Sequence, residues 1–358
     1  MREFGIYAWP AFSTKKGNPY NYLIYHDILK SGFPVYEFAP DYKNILKSGF
    51  SSKYKLLHIH WPSNILSADS YIHAIRRLYT FFFFIKTIKL LRKKVVWTVH
   101  NLESHEGDYP GLEKKLNDFL YKHVDGFISL NQSGLELIKK RAGNPKRQRF
   151  GYIPHPHYVN YYPNQINKEE ARRKLNIPSD KFVFLFLGQI RAYKNVTGLV
   201  KAYKALEQPD KLLIVAGNVH HDVKDELMPL LTNAPDIMLK NGFVEDEDLQ
   251  MYLNAADLVV TPYNQIFNSG SVFLNLSFNV PTLAPEIWAI ADLKKEVGEK
   301  WIKTYQGQIT ADALLKGMKE VKAAKGMNPV EKPDLHSLDP QVIAASTLNF
   351  FNEVITKA

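Results

Sequence analysis

Short apolar runs separated by amphipathic stretches set the plan of this chain. In the first half such runs predict strands at Glu3 to Ala8, Pro34 to Phe38, Leu56 to His60, Val95 to Val99, Gly126 to Leu130 and Phe150 to Ile153. A loop at Gly17-Asn18-Pro19-Tyr20 leads into a predicted helix that runs through Leu29. Strands alternating with helical periodicity imply βαβ units and a parallel sheet. After the polar stretch Tyr161 to Asn167 the pattern starts again. Asn167 with Glu170 forms a capping box for a helix ending near Leu175. Phe182 to Leu187 is wholly apolar, as a strand covered on both faces must be. Leu212 to Ala216, Ile237 to Leu239 and Leu258 to Thr261 continue the series. Lys316 to His336 is weakly patterned and expected to be partly irregular. Asp339-Pro340 then starts a helix over Gln341 to Thr356, with proline in its first turn. The expectation is two α/β domains, 1–163 with the closing helix 340–358, and 164–339. Ligands of such sheets sit at the carboxyl ends of strands, so two facing domains would form a cleft.

Composition narrows the class. The chain has 358 residues, which at about 150 residues per domain agrees with two domains. Hydrophobic residues at 45% and charged residues at 23% exclude wholesale disorder, a collagen-like chain and a polytopic membrane protein. With no cysteine, disulfides, thiolate zinc sites and a cysteine nucleophile are excluded. Lys and Arg outnumber Asp and Glu by 46 to 36, and a charge of +10 suits an anionic partner. Met1 to Tyr7 lacks the apolar core of a signal peptide. The run Phe81 to Ile85 is far shorter than the ~18 residues of a membrane span. A cytoplasmic location is expected. The excess of positive charge would also suit nucleic acid, but no nucleic-acid-binding motif is present and none is expected as partner.

Three strand ends carry candidate chemistry. Gly188-Gln189-Ile190-Arg191-Ala192-Tyr193-Lys194-Asn195 places two cations on a glycine-started loop leading into a helix. Arginine offers a planar fork and lysine a point charge, a pairing that could neutralise a diphosphate. A solvated basic turn would read the same. Asn268-Ser269-Gly270-Ser271 precedes the apolar helix Val272 to Phe278. Small residues at a helix start leave amides open to an anion, or form a plain cap. His100-Asn101-Leu102-Glu103-Ser104-His105-Glu106 is dense in groups that bind sugar hydroxyls or move protons. Two histidines five apart match no standard metal motif, and no metal is expected. Asp246-Glu247-Asp248 reads as the acidic start of a helix. Tyr71 to Lys94 holds seven Lys or Arg and no acid, interleaved with aromatics. It is either an anionic-membrane contact through Arg76, Arg77, Lys86 and Lys89, or a core helix with a solvated basic face.

Taken in order, these pieces resemble the GT-B-fold glycosyltransferases. The second domain resembles the retaining, family-4-like type. The closer likeness is to the GDP-mannose-dependent β-mannosyltransferases of xanthan assembly. The matching segments are Asn18-Pro19-Tyr20, His58-Ile59-His60-Trp61-Pro62, Trp97 to Leu102 with His105-Glu106, and His155-Pro156-His157-Tyr158. Ile190 to Asn195, Asn268-Ser269-Gly270, Pro281 to Pro285 and Glu296-Val297-Gly298 follow.

The resemblance implies two Rossmann-like domains facing across a cleft, with a C-terminal helix returning to the first. It implies a nucleotide-sugar held by the second domain. Gly188, Gly217 and the Gly242-Phe243-Val244 turn would line the donor site, with Arg191 and Lys194 on the diphosphate beside Ser269, Gly270 and Ser271. His100 would reach the transferred sugar. Asn18, Tyr20, His60, Trp61, Asn101, His105, His157 and Tyr158 would line the acceptor side. Where family-4-like enzymes carry two glutamates eight apart, this chain has Ile266 and Leu274. The xanthan-type enzymes invert, which asks for a base near the acceptor hydroxyl: Glu106 first, then Asp108. The implied reaction moves a hexose, mannose from GDP-mannose, to a glycan hydroxyl, on a polyprenyl diphosphate lipid, without a metal or cofactor. A retaining transferase using a UDP-sugar and a GT-B nucleotide-sugar epimerase are the alternatives.

Overall fold

The chain divides into two units, residues 1–156 with 336–358, and residues 157–335. A computed structural model describes residues 4–39, 51–102, 109–143, 146–264, 267–325 and 331–356. In the first unit the order is β1 (Ile6–Trp9), α1 (Tyr20–Lys30), β2 (Val35–Glu37), β3 (Leu56–Ile59), α2 (Tyr71–Leu90), β4 (Lys94–Val99), α3 (Pro110–His123), β5 (Gly126–Ser129), α4 (Gln132–Ala142) and β6 (Arg149–Tyr152). The strands form one parallel sheet in the order β2-β1-β3-β4-β5-β6. Every strand of this sheet was legible as an apolar run. Because all six are parallel, the residues after β1, β3 and β4 emerge along one edge, and these three strands are neighbours.

The loop after β1 is tied down from β2. The carboxylate of Glu37 accepts from the backbone amides of Ala11 at 3.2 Å, Phe12 at 2.6 Å and Ser13 at 3.1 Å, and from Ser13 Oγ at 2.8 Å.

The second unit runs α5 (Lys168–Lys174), β7 (Phe182–Leu187), α6 (Val196–Ala205), β8 (Lys211–Gly217), α7 (His221–Leu231), β9 (Ile237–Asn241), α8 (Leu249–Ala255), β10 (Leu258–Val260), α9 (Gly270–Ser277), β11 (Thr282–Pro285), α10 (Trp288–Val297), β12 (Ile302–Tyr305) and α11 (Ala311–Lys325). Its sheet is parallel in the order β12-β11-β10-β7-β8-β9. The most apolar strand, β7, lies inside and is buried at all six positions. Asn167 Oδ1 caps α5 by accepting from Glu170 N at 2.9 Å. Asp257, before β10, accepts from Arg172 Nη2 at 2.7 Å and Val183 N at 2.7 Å, and also from Lys168 Nζ. That buried carboxylate clamps α5 to the starts of β7 and β10.

Three expectations change. Strands β11 and β12 were not foreseen: Thr282-Leu283-Ala284-Pro285 ends in proline and Ile302-Lys303-Thr304-Tyr305 interrupts its apolar run with a lysine. Of the stretch expected to be partly irregular, 316–325 are helical, because Leu314, Met318 and Val321 recur at helical spacing and are buried, while 331–335 form neither helix nor strand. Residues 157–163, expected with the first unit, belong to the second, where Tyr158 N donates to Ser277 Oγ at 2.8 Å. The last helix, α12 (Pro340–Thr356), does belong to the first unit. Its Ile343, Leu348, Phe351 and Val354 join the core formed by Ile6, Ile24, Ile28 and Val96.

Candidate active site

In the first unit, among the described residues, the carboxyl edge of the sheet gathers four buried histidines. His58 lies in β3, His60 follows it, His100 follows β4 and His155 follows β6. Alternation along an extended chain puts His58 and His60 on one face, and α1 lays Tyr25 across both. The Tyr25 hydroxyl lies 2.6 Å from His58 Nδ1 and 2.6 Å from His60 Nε2. His58 Nε2 lies 2.8 Å from Thr98 Oγ1, and His60 Nδ1 lies 3.0 Å from His100 Nε2. The half-buried Trp61 stacks on His100 with ring centroids 4.3 Å apart, and Tyr20 meets His100 edge-on at 4.9 Å. The result is an aromatic box around an imidazole that is 8% exposed.

Burial makes protonation of these rings costly. It pushes His58 down to about 3 and His155 to about 4. Burial, reinforced by neighbouring histidines, holds His60 and His100 well below the ordinary imidazole value. All four are neutral at pH 7. Burial also raises the Tyr20 and Tyr25 phenols, so both keep their protons. Among the described residues, no group of three or more His, Asp or Glu side chains is arranged to hold a metal ion.

Sequence reasoning placed Tyr20, His60, Trp61 and His100 here, and the structure brings them together. It missed Tyr25, Thr98 and the site role of His58. The i, i+2 spacing of His58 and His60 was a usable signal, but nothing marks Tyr25 among ordinary core tyrosines. Asn18 supports the cluster from outside, its Oδ1 accepting from Tyr20 N at 3.2 Å. Asn101 is half-buried just after His100. His105, Glu106 and Asp108 lie outside the described residues.

The second unit builds a separate candidate anion seat. Gly188 follows β7 and Gly217 ends β8, with φ of +133° and +154°. A Cβ on Gly217 would lie 1.8 Å from the Gly188 carbonyl oxygen, so only glycine permits this approach. The loop after Gly188 carries Arg191 and Lys194, both half-buried. A Cβ on Gly188 would stand 3.3 Å from Lys194 Nζ, so the ammonium lies over bare backbone. Tyr263 links this loop to the start of α9: Lys194 Nζ is 5.3 Å from its ring, and its hydroxyl is 3.1 Å from Ser271 Oγ. Asn264 N donates to Tyr193 O at 2.9 Å, binding the same two loops by backbone. Ser269, at the α9 N-cap, is 8% exposed, and its Oγ is buried without a hydrogen-bond partner. The seat thus offers a lysine, an arginine, a buried hydroxyl and helix-start amides, the donor set for a diphosphate.

The remaining assignments are mixed. Gly242 N donates to Gly217 O at 3.2 Å and Phe243 is exposed, both beside the seat. Val244 is buried in the core with Leu249 and Leu253, so its side chain supports the turn. His157 Nδ1 accepts from Val159 N at 3.2 Å and Tyr158 is buried against Tyr162, so both shape their own segment. Leu274 packs against the second core. Ile266 lies outside the described residues.

On α2 the buried face is Ala74, Leu78, Phe81, Phe84, Ile85 and Ile88. The opposite stripe exposes Ile72, Tyr79, Phe83 and Leu90, at 63%, 56%, 65% and 84%, with Arg76 and Lys86 between them. Lys89 instead pairs with Asp125 at 2.7 Å, and Arg77 donates to Ser67 O. The Lys89 charge is paired inside the unit, while the exposed Arg77 keeps its own. No helix among the described residues is long and apolar enough to cross a membrane.

Residues 167–274 match the family described as glycosyl transferases group 1. The chain is 29% identical over 337 residues to a GDP-mannose:glycolipid 4-beta-D-mannosyltransferase of Xanthomonas campestris pv. campestris, covering 92% of this chain and 87% of that protein. Among solved structures it is similar to sucrose-phosphate synthase from Thermosynechococcus elongatus, with a TM-score of 0.70 at 14% identity and complete coverage of both chains. It is also similar to WaaG, a glycosyltransferase involved in lipopolysaccharide biosynthesis, with a TM-score of 0.60 at 14% identity over 99% of this chain and 100% of that one. The fold of two Rossmann-like units is the GT-B fold.

Proposed function

We propose that this chain, a GT-B glycosyltransferase, moves a mannosyl group from GDP-mannose to a hydroxyl of a lipid-linked glycan, with inversion. The observation that carries the reading is the seat in the second unit, where Lys194, Arg191 and the Ser269–Gly270 helix start converge beside the glycine pair Gly188 and Gly217. The near-full-length likeness to a GDP-mannose:glycolipid mannosyltransferase supports the choice of donor and acceptor.

In this reaction the acceptor oxygen attacks the anomeric carbon from the face opposite the diphosphate. The bond to the diphosphate breaks, its electrons stay on GDP, and the base takes the acceptor proton. Glu106 is the proposed base and Asp108 the second choice. Negative charge grows on the leaving diphosphate, and fixed cations and amides stabilise it without a metal or cofactor. His100 contacts the sugar as a neutral imidazole. Glu106→Gln should lose turnover and keep nucleotide affinity. Loss of affinity instead would place Glu106 on the donor and the base elsewhere.

The stripe on α2 supports peripheral docking on an anionic bilayer. Its apolar side chains insert while Arg76 and Lys86 meet headgroups. Charge reversal of both, with Phe83→Ser, should release the protein from anionic vesicles, and unchanged binding would remove this contact.

The primary test is thermal stabilisation by GDP, UDP, ADP and dTDP, followed by turnover of GDP-mannose with a lipid-linked acceptor. A ligand that binds only the folded state must raise its stability, by about 2.7 kcal/mol at 100 times Kd. Stabilisation by GDP alone is expected. Preference for UDP would move the donor to the UDP-sugar class, and a flat response to all four would overturn the donor seat.

A further inference from the structure

The diphosphate seat of the second unit has an exposed aromatic side chain on each side, at unequal distances. All strands of this sheet are parallel, in the order β12-β11-β10-β7-β8-β9, so the loops after them follow one another along the carboxyl edge in that order. The seat lies in the middle, with Ser269 and Gly270 after β10 and Gly188, Arg191 and Lys194 after β7. Phe243, 53% exposed, follows β9, two strands beyond β7. Trp288, 42% exposed, opens α10 after β11, one strand beyond β10. Neighbouring strands lie about 4.8 Å apart, so Trp288 stands one spacing from the seat and Phe243 two. Phe267 ties the indole to the seat's own loop: it lies two residues before Ser269, and its ring meets Trp288 edge-on with centroids 6.3 Å apart.

A nucleotide-sugar is asymmetric in the same way. Its hexose is joined directly to the diphosphate, whereas a ribose holds the base further off. Laid along the edge, the molecule fits with its base toward Phe243, its ribose at the loops after β7 and β8, and its hexose toward Trp288. The reverse placement puts the longer arm on the shorter side. The surroundings of Trp288 also suit a sugar. Ligand sites combine aromatic faces with a few fixed polar groups, and an indole covers the C–H face of a pyranose while the hydroxyls reach outward. Glu286, two residues before Trp288, is exposed, and Gln306 Nε2 donates to its Oε2 at 2.9 Å. That bond steadies the carboxylate as an acceptor for hydroxyls.

We propose that Trp288 is the stacking platform for the hexose of the donor, and that Glu286 accepts from hydroxyls of that sugar. The second unit then holds all three parts of the donor on one edge: base, diphosphate and hexose. An indole left 42% in water forgoes part of the burial that its apolar surface favours, and a sugar ring laid on it recovers that burial. This rests on the reading that the seat holds the diphosphate of a nucleotide-sugar.

The test compares a nucleotide with its sugar conjugate in the full-length protein. GDP is paired with GDP-mannose and UDP with UDP-glucose, so the platform is tested whichever base the seat takes. Trp288→Leu keeps an apolar side chain against Phe267 and removes the aromatic face. It should raise KM for the sugar nucleotide about tenfold, the order of one aromatic contact. Contact made equally before and in the transition state leaves kcat unchanged. Thermal stabilisation by the bare nucleotide should be unchanged, and Trp288→Phe should restore part of the lost KM. Glu286→Ala should raise the same KM and leave nucleotide binding alone.

Fluorescence gives a readout that a merely structural role would not move. The chain has five tryptophans, and the difference between wild type and Trp288→Phe isolates the Trp288 emission. That emission should change on saturation with the sugar nucleotide and not with the bare nucleotide. Emission unmoved by the sugar nucleotide, or an unchanged KM in Trp288→Leu, overturns the platform. Loss of bare-nucleotide stabilisation in Trp288→Leu puts the base on the indole and overturns the orientation. An unchanged KM in Glu286→Ala removes the carboxylate. Failure of every nucleotide to stabilise the wild type is a different result: it overturns the seat itself, and the platform with it.

Discussion

Acid should unfold the first unit well before its carboxylates titrate. His58 and His155 are pushed by burial to about 3 and about 4, against about 6.5 in the unfolded chain. A histidine with a depressed folded value contributes stability above the unfolded pKa, and that stability is lost as pH falls below 6.5 toward the folded value. At pH 5 an unfolded histidine gains about 2 kcal/mol from protonation, while His58 and His155 in the fold gain almost nothing. These two together remove about 4 kcal/mol between pH 8 and pH 5. His60 and His100, held well below the usual value, act in the same direction. Domain stabilities are typically about 5–15 kcal/mol, so the loss is a large share. Urea unfolding at intervals from pH 8 to pH 5 measures it, and hydrogen exchange locates it. The amides of β3 and β4 should lose protection while those of β7 and β8 hold theirs. A change below about 1 kcal/mol over this range would refute the buried neutral histidines, since even one such group exceeds it.

Other consequences can be checked separately. Lys194→Ala and Arg191→Ala should each lower kcat by about 10²–10³, or about 2.7–4 kcal/mol of transition-state stabilisation, measured with GDP-mannose and a lipid-linked acceptor. Gly217→Ala puts a methyl 1.8 Å from the Gly188 carbonyl oxygen. It should cost about 1–3 kcal/mol by thermal unfolding and weaken nucleotide binding. Asp257→Ala strands the buried Arg172 guanidinium and should cost about 3–5 kcal/mol by urea denaturation, with the first unit unaffected.

Much of the fold was legible because a parallel sheet buried on both faces writes itself as apolar runs. Phe182 to Leu187 is the clearest case, and its strand matches the expected bounds. The strands at Thr282 and Ile302 escaped because each spans four residues and mixes polar with apolar side chains. At the sites, Gly188, Arg191, Lys194 and Ser269 stood out because a strand end followed by small or cationic residues is local information. Tyr25 and Thr98 did not. Their partners lie 33 to 40 residues away in sequence, and only the packing of α1 over β3 and β4 brings them together. Val244 shows the limit of such local signals: it follows a glycine turn, and its own side chain packs into the core.

The carboxylate of Glu37 gives the two halves different callings. In a parallel sheet, consecutive amides in the loop after a strand form a natural seat for an anion. In the first unit Glu37 fills that seat, taking the amides of Ala11, Phe12 and Ser13. A tethered competitor of this kind is present at a fixed, high local concentration and never diffuses away. A phosphate approaching the loop meets negative charge where it needs donors. Of two sheets built to one plan, the first spends the amides after its first strand on its own carboxylate, and on the proposed reading the nucleotide donor is directed to the second.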